Sequence, residues 1–437
     1  MQAFTRFCLR VVQSYLPDAY ILAVLLTFIT FLAGIGIAGK GPADMVQYWG
    51  KGYSSLFVFG MQMVLVLLTG YVLALSPFVK KIMEKITDIP KTPSQALGIT
   101  AAVSLIACYF NWGFGLVIGA ILAKEMGRKV KGIHFPLLVA AAYGGEIVRG
   151  PSSSIPLVAA TPGNFMEKIA SIVPVTQTLY SWWNVLLTLA IFVLLFLVYL
   201  KMKPPSEIVE FKQEVVVTPP KDKEWSEMSF AEKLEHAWII NALLALLPLT
   251  YLVLNFQSLG FNLNLNLVIL IFLTCGLFLH KHPTSYLSAV KEGIVACRGI
   301  VLQFPLYAGI SGMMMSSGLV DIVSQAFVSI STPNTFPAMT FLSAGLVNIF
   351  IPSGGGQWAI QGPIVMKAAQ SLGADLPQTI MAFAWGDAWT NQIQPFWALP
   401  LLGVAGLSAR DIMGYCVIWT IVSGITIMST FVLLSFM

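Results

Sequence analysis

Residues Asn348 to Pro363 read Asn-Ile-Phe-Ile-Pro-Ser-Gly-Gly-Gly-Gln-Trp-Ala-Ile-Gln-Gly-Pro and lie inside a long apolar region. Pro352 with Gly354, Gly355 and Gly356 cannot carry a continuous helix. Lipid offers no hydrogen bonds to the backbone groups that such a break frees, so irregular chain at membrane depth persists only where protein buries it or a wet cavity meets it. The break is therefore a candidate site. A second copy stands in the first half at Asn111-Trp-Gly-Phe-Gly115, and an offset of 241 residues lays Gly113 on Gly354 and Gly115 on Gly356. The same offset pairs Pro42 with Pro283, Gly52 with Gly293, Gln62 with Gln303, Ser76 with Ser317 and Pro136 with Pro377.

The surrounding chain is apolar enough to make membrane depth the right setting. Of its 437 residues 57% are hydrophobic and 10% charged, against about 25% charged in a soluble domain. Apolar windows of roughly 20 residues follow one another without dyad alternation, which predicts an all-α polytopic membrane protein rather than a barrel. Cys8, Cys108, Cys275, Cys297 and Cys416 are scattered through apolar segments without C-x-x-C spacing, so they read as small hydrophobes with no disulfide framework. The net charge of +5 comes from basic residues beside apolar spans, where they set topology and do not mark nucleic-acid binding. His134, His236, His280 and His282 have no metal-ligand spacing. No P-loop, Ser-His-Asp set or H-E-x-x-H is present, which speaks against an ATP-driven pump, a membrane protease or any enzyme.

The chain order follows from charge and punctuation. Residues 4–16 predict a short interfacial helix, followed by spans over Ala19 to Ala38 and Tyr53 to Val79. Ser94 to Arg128 is too long for one span, breaks at Asn111 to Gly115 and is basic at both ends. That predicts a re-entrant hairpin entered from the cytoplasm. A discontinuous helix follows, interrupted over Tyr143 to Ser154. Trp182 and Trp183 open the next span, residues 201–236 form a polar, proline-bearing cytoplasmic linker, and a span near Ala237 to Leu254 inverts the second copy. There the hairpin Thr335 to Ser371 is poor in positive charge and enters from outside; the next helix is interrupted over Trp385 to Pro395, and Ile412 to Phe436 is the last span. Of 25 Lys and Arg, only Lys40, Lys51, Lys168 and Lys367 fall outside and Arg149 lies at depth. The N-terminus is then cytoplasmic and the C-terminus periplasmic.

Two inverted repeats with paired broken helices point to a secondary transporter whose site lies near the bilayer midplane. Half-helix N-termini suit a carboxylate, and freed carbonyls and hydroxyls suit a small cation. Asn111 and Ser353 are the tip candidates. Arg149 is placed to clamp a substrate carboxylate, or else it neutralises Glu146 three residues earlier. Asp387 is a candidate for holding the coupling ion, H+ or Na+, with Thr390, Asn391 and Gln394 as neutral ligands; its bland alternative is a cap on the unwound end. The glycines, likewise, either build the site or only permit close helix packing. Trp112, Phe114, Trp358, Trp389 and Trp397 either wall a small apolar pocket or belong to the core.

At Asn111-Trp-Gly-Phe-Gly115, Ala160-Thr-Pro-Gly-Asn164, Pro352-Ser-Gly-Gly-Gly356, Gln361-Gly-Pro363, Gln394-Pro-Phe-Trp-Ala-Leu-Pro400 and Arg410-Asp-Ile-Met-Gly-Tyr-Cys416 the chain resembles the bacterial short-chain fatty acid transporter family over essentially its full length. The resemblance implies the ion transporter superfamily: an elevator-type secondary transporter of the inner membrane, usually a homodimer, moving small monocarboxylates such as acetoacetate or butyrate with a coupled cation and no resident cofactor. It implies scaffold helices over 1–92 and 261–332 and transport elements over 93–180 and 333–411. Residues 181–260 then hold a span, the linker and the inverting span, and 412–437 the last span. By position, the tip residues Asn111 to Gly115 and Ser353 to Gly356 would contact substrate or cation; with the residues of the breaks added, the expected substrate site is Asn111, Gly113, Gly115, Arg149, Ser152, Ser353, Gly354, Gly355, Gly356 and Gln357. The coupling cation, with Na+ at the hairpin tips, would meet Asn111, Glu146, Ser353, Asp387, Thr390 and Asn391. Glu146, Arg149 and Pro151 depart from the family's glycine-rich, uncharged first break. A passive anion channel for small carboxylates is the alternative; charge rings along a pore would favour it.

Overall fold

The computed structural model describes the chain except residues 1–6, 8–9, 11–18, 56, 111, 149, 152, 161–166, 168–170, 205–206, 212–224, 260–264, 353 and 437, and among the described residues every regular element is helical. Most of the expected interfacial helix over 4–16 and the middle of the linker, residues 212–224, fall outside the described residues.

The first half holds α1 (Ala19–Gly36), α2 (Pro42–Tyr53), α3 (Phe57–Ala74), α4 (Pro77–Thr87), α5 (Pro93–Phe110), α6 (Trp112–Lys129), α7 (Phe135–Tyr143) with a 3-10 turn over Gly144–Ile147, α8 (Ser154–Ala160) and α9 (Trp182–Lys201). The short α10 (Phe230–Glu235) and the long α11 (Trp238–Leu259) join it to the second half. There follow α12 (Leu265–Leu279), α13 (Pro283–Ala296), α14 (Arg298–Ser317), α15 (Leu319–Ser329), α16 (Phe336–Asn348), α17 (Gly354–Leu372), α18 (Leu376–Asn391), α19 (Pro395–Ala405) and α20 (Ala409–Leu434). The first residues of α2, α3, α7 and α8 each lie 241 residues before those of α13, α14, α18 and α19. Proline explains much of this register: it occupies the first turn of α2, α7, α13, α18 and α19, where its missing N–H costs nothing.

Five helices are thus placed by punctuation, but two expected spans are bent. The chain turns by 74° between α3 and α4 and by 71° between α14 and α15. The first bend is at Ser76, whose hydroxyl accepts from the Val79 N–H. The second is at Gly318, with φ +85°, where the Ser317 hydroxyl accepts from the Leu319 N–H at 3.3 Å. The pair Ser76 and Ser317 therefore caps equivalent turns. Among the described residues α5, α9, α11 and α20 are long and apolar enough to cross a membrane, and the two bent pairs raise the number to six.

Packing between the halves is reciprocal. α2 packs on α14 as α13 packs on α3, and α1 lies on α14 as α12 lies on α3. A Cβ on Gly52 would fall 2.7 Å from the Gly312 Cα, and one on Gly293 would fall 3.0 Å from a ring carbon of Tyr71. Glycine lets the helix axes approach closely enough for dispersion to hold them, the packing mode of helices that gain nothing by leaving lipid. A second group forms where α5 packs on α6 and α7, and α16 on α17 and α18; α9 and α20 pack together alongside.

The start of the linker straps down α6 and α7. The Val209 N–H donates to His134 Nδ1 at 3.0 Å, the Phe135 N–H donates to the Val209 carbonyl at 2.8 Å, and the Glu210 carboxylate accepts from the Gly132 N–H at 2.7 Å. Phe211 meets Phe135 edge to face with ring centroids 4.9 Å apart, and Lys124 and Arg128 lie over the Phe211 ring. Burial pushes the His134 imidazole down to about 4, in keeping with its accepting role.

Two outcomes are expected. Gly52→Val forces a side chain into the α14 backbone and should cost about 1–3 kcal/mol, read as a lower thermal midpoint in detergent, while Gly36→Ala, whose Cβ meets nothing within 4 Å, leaves the midpoint in place. Because the folded pKa of His134 lies below its ordinary value of 6.5, its contribution is present above pH 6.5 and lost as the pH falls towards 4. The midpoint should therefore drop on acidification through that window, and His134→Phe should flatten the slope.

Candidate functional site

Each half contains one helix interrupted at depth, and the two interruptions meet. In the first half α7 gives way to the 3-10 turn and then to extended chain at Val148 before α8 begins. In the second half helix persists through Trp385 and Asp387 to Asn391, so the break is only Gln392, Ile393 and Gln394 and is shorter than the sequence suggested. Gly386 does not break the helix because it serves a close approach: a Cβ there would run into the Phe341 carbonyl and lie 3.1 Å from the Gly345 amide of α16. Gly145, 241 residues earlier, does the same on α5, where a Cβ would lie 2.8 Å from the Leu105 amide. The residues that follow these glycines are Glu146 and Asp387, again 241 apart and both buried.

The hydrogen bonds run from one half to the other. Tyr143, at the end of α7, donates its hydroxyl to the Asn391 carbonyl and, at 3.5 Å, faces that of Gln394. The Asn391 carbonyl lies at the end of α18, where the helix can no longer supply a full set of N–H groups, and Gln394 is the residue before α19. In return Asn391 Nδ2 and Gln392 Nε2 donate to the two oxygens of Glu146 at 3.3 and 3.0 Å. The second hairpin is tied in by Asn348, the last residue of α16, whose amide nitrogen donates to the Asp387 carbonyl at 2.8 Å, Thr390 Oγ1 at 3.0 Å and Asn391 Oδ1 at 2.6 Å. Thr390 passes its own proton to the Gly345 carbonyl at 2.9 Å, and Gln394 Nε2 donates to the Ile349 carbonyl at 3.0 Å.

Of the expected cation residues, the structure brings Glu146, Thr390 and Asn391 into this network together with the Asp387 backbone. Asn111, Arg149, Ser152 and Ser353 lie outside the described residues. Gly354, Gly355 and Gly356 are not in the break itself: after Ile349 to Pro352 end the preceding arm, they form the first turn of α17. Gly355 is exposed and a Cβ there would meet nothing within 4 Å among the described residues, so that side of the first turn of α17 is open. On its other side Asp387 Oδ2 and Ser154 Oγ lie 3.1 and 3.3 Å from where a Cβ on Gly354 would sit. Gln357 is buried, with Nε2 donating to the Ala344 carbonyl and to Gln361 Oε1, both at 2.8 Å.

In the first hairpin Gly113 is buried in the opening turn of α6 and Gly115 lies against the Cys108 backbone of α5, a packing use. Trp112 meets Trp397 edge to face at 5.1 Å, joining the N-terminal ends of α6 and α19. Trp358 packs on Phe383, and Trp389 packs on Phe341 while donating to the Thr420 carbonyl at 2.7 Å, so these two are core rather than a shared pocket wall. Asn348, Tyr143, Gln392 and Ser154 were not singled out from the sequence. The signal for Asn348 was available: an amide in an apolar run at membrane depth.

Four amide oxygens in the cluster, Asn348 Oδ1, Gln357 Oε1, Gln392 Oε1 and Gln394 Oε1, are buried and accept no hydrogen bond among the described residues. The partners of the corresponding nitrogens are carbonyl or carboxylate oxygens, which fixes the orientation of each amide. Buried acceptors of this kind call for a donor or a cation.

A sequence model of the short chain fatty acid transporter family matches residues 1–434. A curated relative from Escherichia coli strain K12 is 43% identical over 431 residues, covering 96% of this chain and 97% of its own, and its name provisionally assigns it short-chain fatty acid transport. One from Haemophilus influenzae with the same name is 42% identical, with 94% and 95% covered. Among solved structures, the YdaH transporter of Alcanivorax borkumensis aligns over 96% of this chain and 98% of its own at 16% identity and a TM-score of 0.46. MtrF of Neisseria gonorrhoeae, described with a class of antimetabolite efflux pumps, aligns over 99% and 97% at 13% identity and 0.42.

Asn348→Ala strips the Asp387 carbonyl, Thr390 Oγ1 and Asn391 Oδ1 of a common donor, and should destabilise the protein by about 1–3 kcal/mol. The thermal midpoint in detergent reads it, and an unchanged midpoint would remove Asn348 from its organising role.

Proposed function

Since the chain belongs to the short chain fatty acid transporter family and is a multi-pass membrane protein, we infer that it moves short monocarboxylates such as butyrate or acetoacetate across the bacterial inner membrane, coupled to H+ or Na+. The observation that carries this reading is the crossing of two interrupted helices beside a helix N-terminus whose first turn is open on its Gly355 side. A carboxylate suits the N–H groups and positive dipole end of α17. A small cation suits the Asp387 carboxylate beside Gly354 and the unpaired amide oxygens of Asn348, Gln357, Gln392 and Gln394.

In this reading the two series of helices are inverted repeats, each contributing a re-entrant hairpin, α5–α6 and α16–α17. The reciprocal packing and the recurring helix starts support the repeat. Residues 1–92 and 261–332 form the scaffold of a homodimer, and 93–180 with 333–411 form an elevator that carries the site. The N-terminus and linker are cytoplasmic and the C-terminus periplasmic, as the distribution of Lys and Arg favours. Arg149 binds the substrate carboxylate.

Proteoliposomes should accumulate labelled butyrate or acetoacetate along an inward proton or sodium gradient, with saturable counterflow. Uptake indifferent to both gradients and without counterflow would instead identify a passive anion channel. Arg149→Gln should raise the apparent KM for the acid about tenfold or more, as expected when a charged hydrogen bond worth about 1.5–3 kcal/mol is removed.

A further inference from the structure

The two halves pack reciprocally inside each group of helices, and α4 meets α6 as α15 meets α17, but other contacts between the groups are one-sided. Between the groups, α6 packs on α3 and α19 packs on α14. Val117 Cγ2 lies 3.5 Å from where a Cβ on Gly70 would sit, Leu399 Cδ2 lies 3.2 Å from the equivalent point on Gly299, and Phe396 stacks on Phe304 with centroids 4.2 Å apart. The counterparts of these contacts, α17 on α14 and α8 on α3, show no comparable packing among the described residues.

What stands at the vacant counterparts is informative. Moving Gly70 and Val117 by 241 residues gives Ser311 and Trp358. Both are buried, and neither Ser311 Oγ nor Trp358 Nε1 forms a hydrogen bond among the described residues. A buried indole N–H ordinarily finds an acceptor. Moving Gly299 and Leu399 back gives Val58 and Val158. Val58 is 76% exposed and lines an open apolar groove of about 590 Å3 with Phe57, Met61, Leu65 and Ile269. That groove on α3 is the repeat counterpart of the surface of α14 that α19 covers.

We propose that the chain has a second conformation in which the repeats exchange these contacts: α17 packs on α14 with the Trp358 indole donating to Ser311 Oγ, and α8 fills the groove on α3 with Val158 against Val58. This rests on the alternating-access reading above. It specifies which surfaces part and which meet. The two unpaired polar atoms of the present state become a hydrogen bond in the other.

The test uses two cysteine pairs in the full chain, with the unsubstituted protein as background for its own five cysteines. Gly299→Cys with Leu399→Cys reports the present arrangement, and Val58→Cys with Val158→Cys reports the exchanged one. Both should form intramolecular disulfides on oxidation in membrane vesicles, each blocking butyrate uptake until reduced. Ser311→Ala should lower the yield of the Val58–Val158 cross-link relative to the other about fivefold, the scale of one net hydrogen bond, and Ser311→Thr should restore it. A Val58–Val158 pair that stays open while Gly299–Leu399 closes overturns the exchange. A ratio unmoved by Ser311→Ala overturns the Ser311–Trp358 contact. If the reduced pairs and the unsubstituted protein all fail to take up acid, the transport reading falls, while the cross-links still report whether the two conformations exist.

Discussion

A helix that breaks inside a bilayer has to find partners for the carbonyls and amides it releases, and here each break finds them in the other half of the chain. The Tyr143 hydroxyl from α7 serves the carbonyl at the end of α18, and the side chains of Asn391 and Gln392 close on Glu146 beside the first break. Each interruption also keeps bonds within its own half, from the Val148 N–H to the Gly145 carbonyl and from the Gln394 N–H to the Asn391 carbonyl. The site is still a product of assembly: a chain that had folded only its first nine helices would hold Glu146 at depth without the two amides that solvate it, at a cost that grows as water is excluded. Asn348 extends the network to α16, since it fixes that helix to Asp387, Thr390 and Asn391 in the last turn of α18.

Glycine and proline made much of this visible in the sequence, and glycine also caused the main misreading. Proline has one meaning near a helix start, and the starts of α2, α7, α13, α18 and α19 follow it. Glycine has two, a break or a close approach, and spacing alone does not separate them. Gly386 sits within continuous helix because the α16 backbone lies against it, and Gly115 does the same service for α5. The triplet Gly354 to Gly356 opens a helix instead of interrupting one. The distinction lies in what the neighbouring helix presents, which is tertiary information.

The linker is a similar case. Its prolines and mixed charges identify residues 201–236 as polar chain, but nothing local announces that Val209 will pair with Phe135 or that Phe211 will lie under Lys124 and Arg128. Those contacts tie the connection between the halves to α6 and α7, the same helices that carry the first tip and the first break. A displacement of that unit must carry the strap with it or release it.

The two buried carboxylates show how one recurring register comes to hold two different surroundings. Glu146 and Asp387 occupy equivalent positions, each after a glycine that presses its helix onto the backbone of a hairpin arm in the same register. Their surroundings have diverged. Glu146 is enclosed by amide donors from Asn391 and Gln392, which make it a fastening between the halves. Asp387 instead turns an oxygen towards Gly354 and lies beside Ser154, at the first turn of α17, which is open on its Gly355 side. A charge placed beside a helix N-terminus responds strongly to any cation or anion that arrives there. The same register recurs in both halves, while the neighbours it brings to Glu146 and to Asp387 differ.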